Sequence, residues 1–576
     1  MSPASEAAEF DIVVVGSGAG ALTAALTAAV EGARVVVLEK APRYGGTSAS
    51  SGGGLWIPAN HLMLAGGIDD NADDAMRYLL ALTGEDVDPA VVRAFVEEGP
   101  RMLRFLESHS EVRYEAMLHY ADYYQELPGA RPGGRSIDPL PWHARHLGDD
   151  FLAMQPSHVQ TTVMGLMGYS NLEGAVLLSK APGWLRVIAR LVFDYITDIP
   201  WRFRSRRSRR LTMGNALMAR LRRSLIDRGV PLWLSTPVQE LLRENGRVTG
   251  VVALRDGKQT RILARRGVIV GAGGFEHSQA LRERFLPAPT AAAWSAGSPT
   301  NTGDLILAAE RIGAALHLMD EAWWGPTVCL EGEDRARMLF TERSMPGCIM
   351  VNRRGERFVN ESVAYTTAVQ AMYRRAASGE ANLPAWAIFD ARYRRNYPFG
   401  PLLPQAMGLD ALQPARVRRR FLQQARSLPA LAAQLGVDGN GLAETVARFN
   451  GFAASGKDPD FQRGENSYDL LYGDVRLGPN PCLAPIAEPP FYGVEIFPGD
   501  LGTKGGILTN AVAMALDTAG RPIEGLYAIG NSAASPMGRY YPGAGATLGP
   551  AMTFAYVAAR HALGLHRGAS GDEAAV

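Results

Sequence analysis

The sequence predicts an α/β fold in which two separated parts of the chain form a Rossmann-like domain, with an α+β domain inserted between them. Three observations predict this fold. A glycine turn joins an apolar strand to a helix at the start of the chain, and a second glycine-rich loop follows the next strand. A third strand that closes on glycine returns near the end, at residues 525–531. Strands that end on glycine turns are typical of nucleotide-binding sheets.

The first element is a glycine turn between the apolar strand Ile12–Val15 and the helical stretch Leu22–Val30. Its first glycine permits a tight turn, its second lets a phosphate approach the backbone, and its last residue keeps the helix close to the strand. The free N–H groups and partial positive charge at the helix N-terminus favour a bound pyrophosphate. The residues predicted to hold it are Gly16, Ser17, Gly18, Ala19, Gly20 and Ala21.

The second strand, Val35–Leu38, ends on Glu39, which is expected to accept hydrogen bonds from an adenosine ribose. Strand, glycine turn, helix, strand and acid in this order indicate an adenine dinucleotide rather than an empty glycine turn.

A second glycine loop, residues 45–54, identifies the dinucleotide as FAD. Small residues and hydroxyls let the backbone pass close to a flat ring system and donate hydrogen bonds to it, and NAD enzymes do not need such a loop. A flexible Gly/Ser linker is disfavoured so soon after the ribose acid. The loop residues predicted to contact FAD are Gly46, Thr47, Ser48, Gly52 and Gly53.

Composition sets limits on the class of protein. The 576 residues suffice for two or more domains, and a net charge of +1 gives no global field that favours nucleic acid. Three cysteines without metal or redox spacing fit a reducing, cytoplasmic compartment and no metal site. The N-terminus lacks a secretory pattern, and no apolar run is long enough to span a bilayer.

Changes in composition predict the domain boundaries. Residues 1–290 form the first part of the FAD-binding domain, with a β-meander around Val238–Leu254. Residues 291–489, richer in aromatic residues, arginine and proline, form a catalytic domain for the substrate. Residues 490–566 return to the FAD-binding domain, and 567–576 read as a disordered tail.

Several segments resemble the 3-ketosteroid Δ1-dehydrogenases, which belong to the fumarate reductase and succinate dehydrogenase flavoprotein superfamily. The resemblance covers most of the chain, and its last segment is the most specific. The matching segments are Asp122–Tyr124, Leu127–Gly129, Gly134–Ser136, Asn352–Glu361 with Tyr365, Thr503–Gly506 and Tyr541–Pro550.

The resemblance implies FAD-dependent removal of two hydrogens from C1 and C2 of a 3-ketosteroid. Tyr541 and the Gly545 N–H are expected to donate to the C3 oxygen, which makes the neighbouring C2–H more acidic. Tyr365 is expected to take the C2 proton with help from Tyr123, although Tyr120 and Tyr124 compete for that place. A free phenol has a pKa of ~10, so the base needs a hydrogen bond or a nearby positive charge.

Two further sets of positions complete the predicted site. Tyr120 and Ser51 are expected to line the substrate pocket. The remaining cofactor contacts are Lys40, Val238, Gly273, Asp304, Gly530, Asn531, Ala546 and Leu548.

The segment 183–210 is a predicted insertion that binds a membrane. Arg186, Arg190 and Asp194 share one face of a helix over residues 184–199, apolar residues fill the rest, and an arginine-rich run follows. Such a segment suits an interfacial helix on anionic lipid at the inner face of the cell membrane. The alternatives are a core helix and an oligomer contact. The insertion favours a substrate with a sterol side chain and a quinone as electron acceptor.

Three rival functions stay open. A C4–C5 ketosteroid desaturase would need a different tyrosine and serine arrangement, without the Tyr123 partner. A fumarate reductase would need an arginine and histidine set for a dicarboxylate, which the sequence lacks. A flavin-binding sterol carrier without turnover would not need paired tyrosines beside a flavin.

Overall fold

The computed structural model describes residues 8–179, 182–374, 379, 381–407, 417 and 421–566. The tail predicted to be disordered, 567–576, lies outside the described residues. Within them, no helix combines the length and the apolar character that crossing a membrane requires.

The larger sheet contains the predicted Rossmann-like layer. Five of its strands run parallel, in the order Leu232–Trp233, Val35–Leu38, Ala8–Val15, Lys258–Val270 and Pro522–Ala528. The predicted meander adds Val238–Glu244, which pairs antiparallel with Arg247–Arg255, and Arg247–Arg255 in turn pairs antiparallel with the first half of Lys258–Val270. Met514–Leu516 pairs with the last parallel strand. The predicted discontinuous fold is confirmed, because a strand from the end of the chain joins the sheet that the first residues begin.

Small residues allow three helices to pack closely at this sheet. The helix Ala19–Val30 is buried along most of its length and contacts Met213–Ile226 and Leu548–Ala562. A Cβ on Gly20 would lie 2.9 Å from the carbonyl oxygen of Ala551, so glycine is what permits the approach of the last helix.

The inserted domain is built on a second, mostly antiparallel sheet. Its strands are Arg337–Met338, Ala322–Val328, Phe491–Thr503, Ala385–Phe389 and Cys348–Val351, with Gln423–Ala425 on the long strand. The sequence places the return of the chain near residue 490, but Phe491–Thr503 pairs with the inserted sheet. By strand pairing, the chain rejoins the first sheet only later, at Met514–Leu516 and Pro522–Ala528.

The other elements surround these two sheets. The remaining helices are Gly46–Ser50, His61–Ala65, Ala72–Thr83, Pro89–His109, Asn171–Ser179, Trp184–Thr197, Ile199–Arg202, Gln279–Phe285, Asp304–Arg311, Tyr365–Tyr373, Ala391–Asn396, Leu428–Leu435, Gly439–Ser455 and Ser467–Leu470. The shorter strands are Leu55–Trp56, Tyr114–Ala116, Ser136–Pro139, Trp142–His143, Thr162–Val163, Met167–Gly168, Arg210–Leu211, Leu316–His317 and Gly506–Ile507.

The topology places the predicted turns at one edge. Gly16, Glu39, Gly271 and Gly530 each follow the carboxyl end of a parallel strand. Ligands of open α/β sheets bind outside this edge. The fold therefore gathers four distant turns around one cleft.

Candidate active site

A single cavity of about 1660 Å³ runs from the carboxyl edge of the first sheet to the inserted domain. It is lined by every predicted site residue except Ala546, which is fully buried. The lining set comprises Gly16, Ser17, Gly18, Ala19, Gly20, Ala21, Glu39, Lys40, Gly46, Thr47, Ser48, Ser51, Gly52, Gly53, Tyr120, Tyr123, Val238, Gly273, Asp304, Tyr365, Gly530, Asn531, Tyr541, Gly545 and Leu548.

One end of the cavity has the features of a phosphate cradle. Gly18 precedes the helix Ala19–Val30 in extended conformation and offers no capping side chain. The Ala19 N–H donates to Ser48 Oγ at 3.1 Å. Gly16 has φ +102°, and a Cβ there would lie 2.2 Å from the Gly271 carbonyl oxygen. The helix start therefore presents backbone N–H groups to the cavity at a position where only glycine fits.

Glu39 is held rigidly beside this cradle. Its carboxylate accepts hydrogen bonds from Ser17 Oγ at 2.5 Å and from the Ala41 N–H at 2.8 Å. Burial raises the pKa of Glu39. On the other side, Lys40 contacts Thr302 and forms an ion pair of 2.6 Å with Asp304. Glu39, Lys40 and Asp304, all predicted cofactor contacts, therefore line the cavity next to the cradle.

A buried polar network supports the second glycine loop. Thr47 Oγ1 accepts from the Ser298 N–H at 2.8 Å and from Asn301 Nδ2 at 3.2 Å. Asn301 also donates to Glu276 at 2.6 Å. Glu276 is fully buried, its Oε2 lacks a partner among the described residues, and burial raises its pKa to about 7.

These residues fit FAD. The cradle at Gly16–Ala21 would hold the pyrophosphate, Glu39 the ribose, and the loop 46–53 the flat ring system. Gly53 packs directly against the chain at Met213: a Cβ there would be 2.4 Å from the Met213 backbone, so the loop cannot hold a larger residue at this position.

Three predicted tyrosines meet in the wall of the same cavity. Tyr123 and Tyr365 hydroxyls lie 2.9 Å apart, in hydrogen-bond contact. The Tyr541 ring lies 4.9 Å from that of Tyr365 and 5.6 Å from that of Tyr123, measured between centroids. Thr547 Oγ1 donates to the Tyr541 hydroxyl at 3.0 Å.

The competition between neighbouring tyrosines is resolved by these contacts. The Tyr124 hydroxyl contacts Thr367, and the Tyr120 hydroxyl contacts that of Tyr472 at 2.5 Å. Tyr123 is therefore the residue of this segment that contacts Tyr365 through its hydroxyl.

Burial opposes ionisation of these phenols. It raises the pKa of Tyr365 well above its ordinary value, while the hydrogen bond with Tyr123 lowers it. Burial also raises the pKa of Tyr541. Hydrogen bonds with Thr547, Tyr365 and the Gly545 N–H partly offset this rise. A neutral Tyr541 is suited to donate a hydrogen bond, whereas Tyr365 needs added stabilisation to act as a base.

The backbone around the tyrosines explains their positions. The Tyr123 N–H donates to the Pro542 carbonyl at 2.9 Å and ties the two segments together. Asp122 receives hydrogen bonds from Trp56 and from the fully buried Arg135, both at 2.8 Å. Gly545 has φ +98°, and a Cβ there would lie 2.4 Å from the Leu55 backbone.

The sequence did not identify several residues of this region. Tyr468 lies with its ring 4.5 Å from Tyr123, and Tyr472 contacts Tyr120. Their spacing of four residues was a usable signal. Arg343 and Lys504 are buried basic residues that donate to backbone carbonyls just before Tyr365 and Tyr541, and burial lowers the pKa of Lys504 to about 7. No local pattern marks that role.

Comparison with known proteins agrees with this architecture. Residues 11–548 match the family described as FAD binding domain. The 3-oxosteroid 1-dehydrogenase of Mycobacterium tuberculosis is 44% identical over 96% of this chain and 98% of its own. The 4-oxocyclohexanecarboxylate 2-dehydrogenase of Sinomonas cyclohexanicum is 39% identical over 98% and 96%.

A solved structure extends the likeness to three dimensions. The 3-ketosteroid delta1-dehydrogenase from Sterolibacterium denitrificans, in complex with 1,4-androstadiene-3,17-dione, superposes with a TM-score of 0.93. It is 46% identical, and the match covers 96% of this chain and 99% of that chain.

Proposed function

This chain belongs to the 3-oxosteroid 1-dehydrogenase family of FAD-dependent oxidoreductases, and we propose that it converts 4-en-3-one steroids to 1,4-dien-3-ones in bacterial steroid degradation. The observation that carries the proposal is the contact of Tyr365 with Tyr123, beside Tyr541, in the wall of the cofactor cavity. A C4–C5 desaturase was expected to lack the Tyr123 partner.

The three tyrosines have different roles in the proposed reaction. Tyr541 and the Gly545 N–H donate to the C3 oxygen, so negative charge that develops there is stabilised. Tyr365 takes the C2 proton: its oxygen forms a new O–H bond as the C2–H bond breaks. Tyr123 holds a hydrogen bond to the Tyr365 oxygen and favours its ionised form. FAD, held by Gly16–Ala21, Glu39 and the loop 46–53, would supply the two-electron oxidant for C1.

The size of the cavity supports a steroid rather than a single-ring ketone. The cavity also extends between Met164, Leu172, Val192 and Val475, so its lining includes apolar walls in addition to the tyrosines. This extension accommodates a side chain at the distal end of the steroid. Apolar walls of this length would leave a small charged ketone largely uncontacted.

An anaerobic titration tests both reaction and substrate. We expect 4-en-3-one steroids to bleach the oxidised flavin and to yield the dienone by mass spectrometry, with tighter half-saturation for a steroid that carries a side chain. The comparison ligand is 4-oxocyclohexanecarboxylate. If only that ligand bleaches the flavin, or if no steroid does, the proposal is wrong.

The proposal also includes a membrane surface. The helix Trp184–Thr197 turns Trp184, Ile188 and Val192 into the cavity. Its outer face leaves Leu185, Phe193 and Ile196 at least 60% exposed. Phe203, just beyond it, is 89% exposed. An exposed apolar face that continues into the wall of the cavity gives a sparingly soluble steroid a route from lipid.

The arginines around this face supply less charge than the run of residues 202–210 indicates. Arg209 pairs with Asp198, and Arg210 with Glu173. Arg207 donates inward to the carbonyls of Phe151 and Met154. The exposed arginines are Arg186, Arg190, Arg204 and Arg206, and two of them have carboxylate partners: Arg190 lies 3.9 Å from Asp194, and Arg204 pairs with Asp149 at 3.0 Å. They border the apolar face on a protein of net charge +1, and they fit an anionic lipid surface. Docked there, the enzyme passes electrons to a lipid-soluble quinone.

Vesicle sedimentation tests the surface. We expect the protein to sediment with vesicles that contain phosphatidylglycerol, and Phe193→Ser with Ile196→Ser to weaken binding at least tenfold, because two exposed apolar side chains that would enter the lipid are lost. The matched control is Leu80→Ser with Leu565→Ser, which changes exposed leucines elsewhere. Equal loss in both pairs, or a wild type that ignores these vesicles, would contradict the surface.

A further inference from the structure

Arg343 is a fully buried cation next to the tyrosine cluster, defined as Tyr120, Tyr123, Tyr365, Tyr468, Tyr472 and Tyr541. Its guanidinium donates to two backbone carbonyls, those of Glu361 and Val363, the latter at 2.6 Å. These carbonyls lie four and two residues before Tyr365, where the helix Tyr365–Tyr373 begins. Arg343 therefore holds the turn that delivers Tyr365 to the cavity.

The positive charge of Arg343 acts on phenols of the cluster. Among the described residues no carboxylate lies within ion-pair distance of it, although it interacts electrostatically with Tyr365, Tyr468 and Tyr472. Burial raises the pKa of Tyr468 and of Tyr472, and the Arg343 charge lowers both.

The other charged groups around Arg343 are already engaged. The Glu361 carboxylate is held by Arg357 and Arg463, with distances of 2.8 and 2.9 Å. Although burial opposes it, these two arginines keep the pKa of Glu361 below its ordinary value. Glu342, on the same turn, accepts from the Thr341 N–H, and burial raises its pKa. The charge of Arg343 lowers the pKa of Glu342 and of the Cys348 thiol against the effect of burial, and the phenols of the cluster are further groups that it can stabilise when they ionise.

We propose that Arg343 is a positioning residue for Tyr365 and that its positive charge stabilises the phenolate form of the tyrosine cluster. The inference rests on the proposed function, in which Tyr365 takes the C2 proton. A buried phenol needs an opposing charge for this task, because desolvation alone disfavours its ionised form. Arg343 supplies that charge without contacting the substrate.

The two roles can be separated with two substitutions. Arg343→Gln keeps an amide donor for the backbone carbonyls and removes the charge, whereas Arg343→Lys keeps the charge. The measurement is the rate of flavin reduction by a saturating 4-en-3-one steroid, in anaerobic single turnover across a range of pH. A nearby opposite charge shifts a pKa by about one unit or more. We therefore expect Arg343→Gln to raise the pH of half-maximal rate by about one unit or more, and Arg343→Lys to leave it nearly unchanged.

A second readout needs no turnover. In the resting enzyme, the part of the phenolate absorbance that is lost in Tyr365→Phe belongs to Tyr365. We expect this absorbance to appear at higher pH in Arg343→Gln. FAD content and thermal unfolding are recorded for every variant. If Arg343→Gln does not fold, Arg343→Lys decides alone: a midpoint raised by a unit or more despite the retained charge overturns the proposal.

The remaining outcomes are equally distinct. A lower rate in Arg343→Gln at every pH, with an unchanged midpoint, means that Arg343 acts only on structure and overturns the role of its charge. If wild type is not reduced by any steroid, or if Tyr365→Phe is fully active, the proposed function itself fails. The first result leaves the proposed function intact, so the two failures are distinguishable.

Discussion

Tyr365→Phe is expected to slow flavin reduction at least ~100-fold while the protein keeps its FAD, because general-base catalysis contributes typically 10²–10⁴-fold. The substitution removes one oxygen atom, which contacts Tyr123 at 2.9 Å. The ring stays against Tyr541 and Phe340, so packing changes little. The measurement is stopped-flow bleaching of the flavin under anaerobic conditions, with saturating steroid.

A tyrosine on the same helix provides the control. The Tyr373 hydroxyl donates to the Pro289 carbonyl at 3.0 Å and does not line the cavity. Tyr373→Phe should therefore retain the wild-type rate. A near-normal rate in Tyr365→Phe would remove Tyr365 as the base, and an equal loss in both variants would indicate damage to the helix Tyr365–Tyr373 instead.

Gly16→Ala is expected to yield protein that is depleted of FAD and less stable by roughly 2–5 kcal/mol. The added Cβ would meet the Gly271 carbonyl oxygen at 2.2 Å and the Ala272 Cα at 2.9 Å, both backbone atoms of the turn that follows Lys258–Val270. The φ of +102° adds strain of its own. Relieving the collision or the strain would move the turn out of the conformation that forms the phosphate cradle. Flavin absorbance per protein and the free energy of unfolding in urea measure the two effects.

Gly32→Ala separates strain from collision. Gly32 has φ +82°, and a Cβ there would have no neighbour within 4 Å. This control should cost about 1–2 kcal/mol from backbone strain alone and should keep its FAD. If both variants bind FAD equally, the close approach of Gly16 to Gly271 is not what shapes the cofactor site.

The local parts of this fold were predictable from the sequence because short-range rules determine them. Gly16, Gly18 and Glu39 are spaced by the geometry of one strand, one turn and one helix, so their roles follow from a stretch of about 30 residues. Apolar runs such as Ile12–Val15 likewise indicate buried parallel strands without reference to the rest of the chain.

Long strands that change partners are harder to assign. Phe491–Thr503 pairs with Ala322–Val328 and Ala385–Phe389, which are separated from it by roughly 100 to 170 residues of chain. A strand's own residues report that it is buried but not which sheet it joins. The position of residues 490–503 in the inserted sheet was therefore not accessible from composition.

The sequence by itself determined the α/β class, the FAD fold and, through resemblance, the tyrosines Tyr123, Tyr365 and Tyr541. Only the tertiary structure decided which hydroxyls are in contact. Tyr120, Tyr123 and Tyr124 are the same residue type in one loop, and the conformation of that loop determines which partner each hydroxyl reaches. It also placed Arg343 and Lys504, from distant segments, in hydrogen-bond contact with backbone carbonyls just before two of these tyrosines. A buried cation acts through space on whatever the fold places beside it, and no spacing along the chain encodes that neighbour.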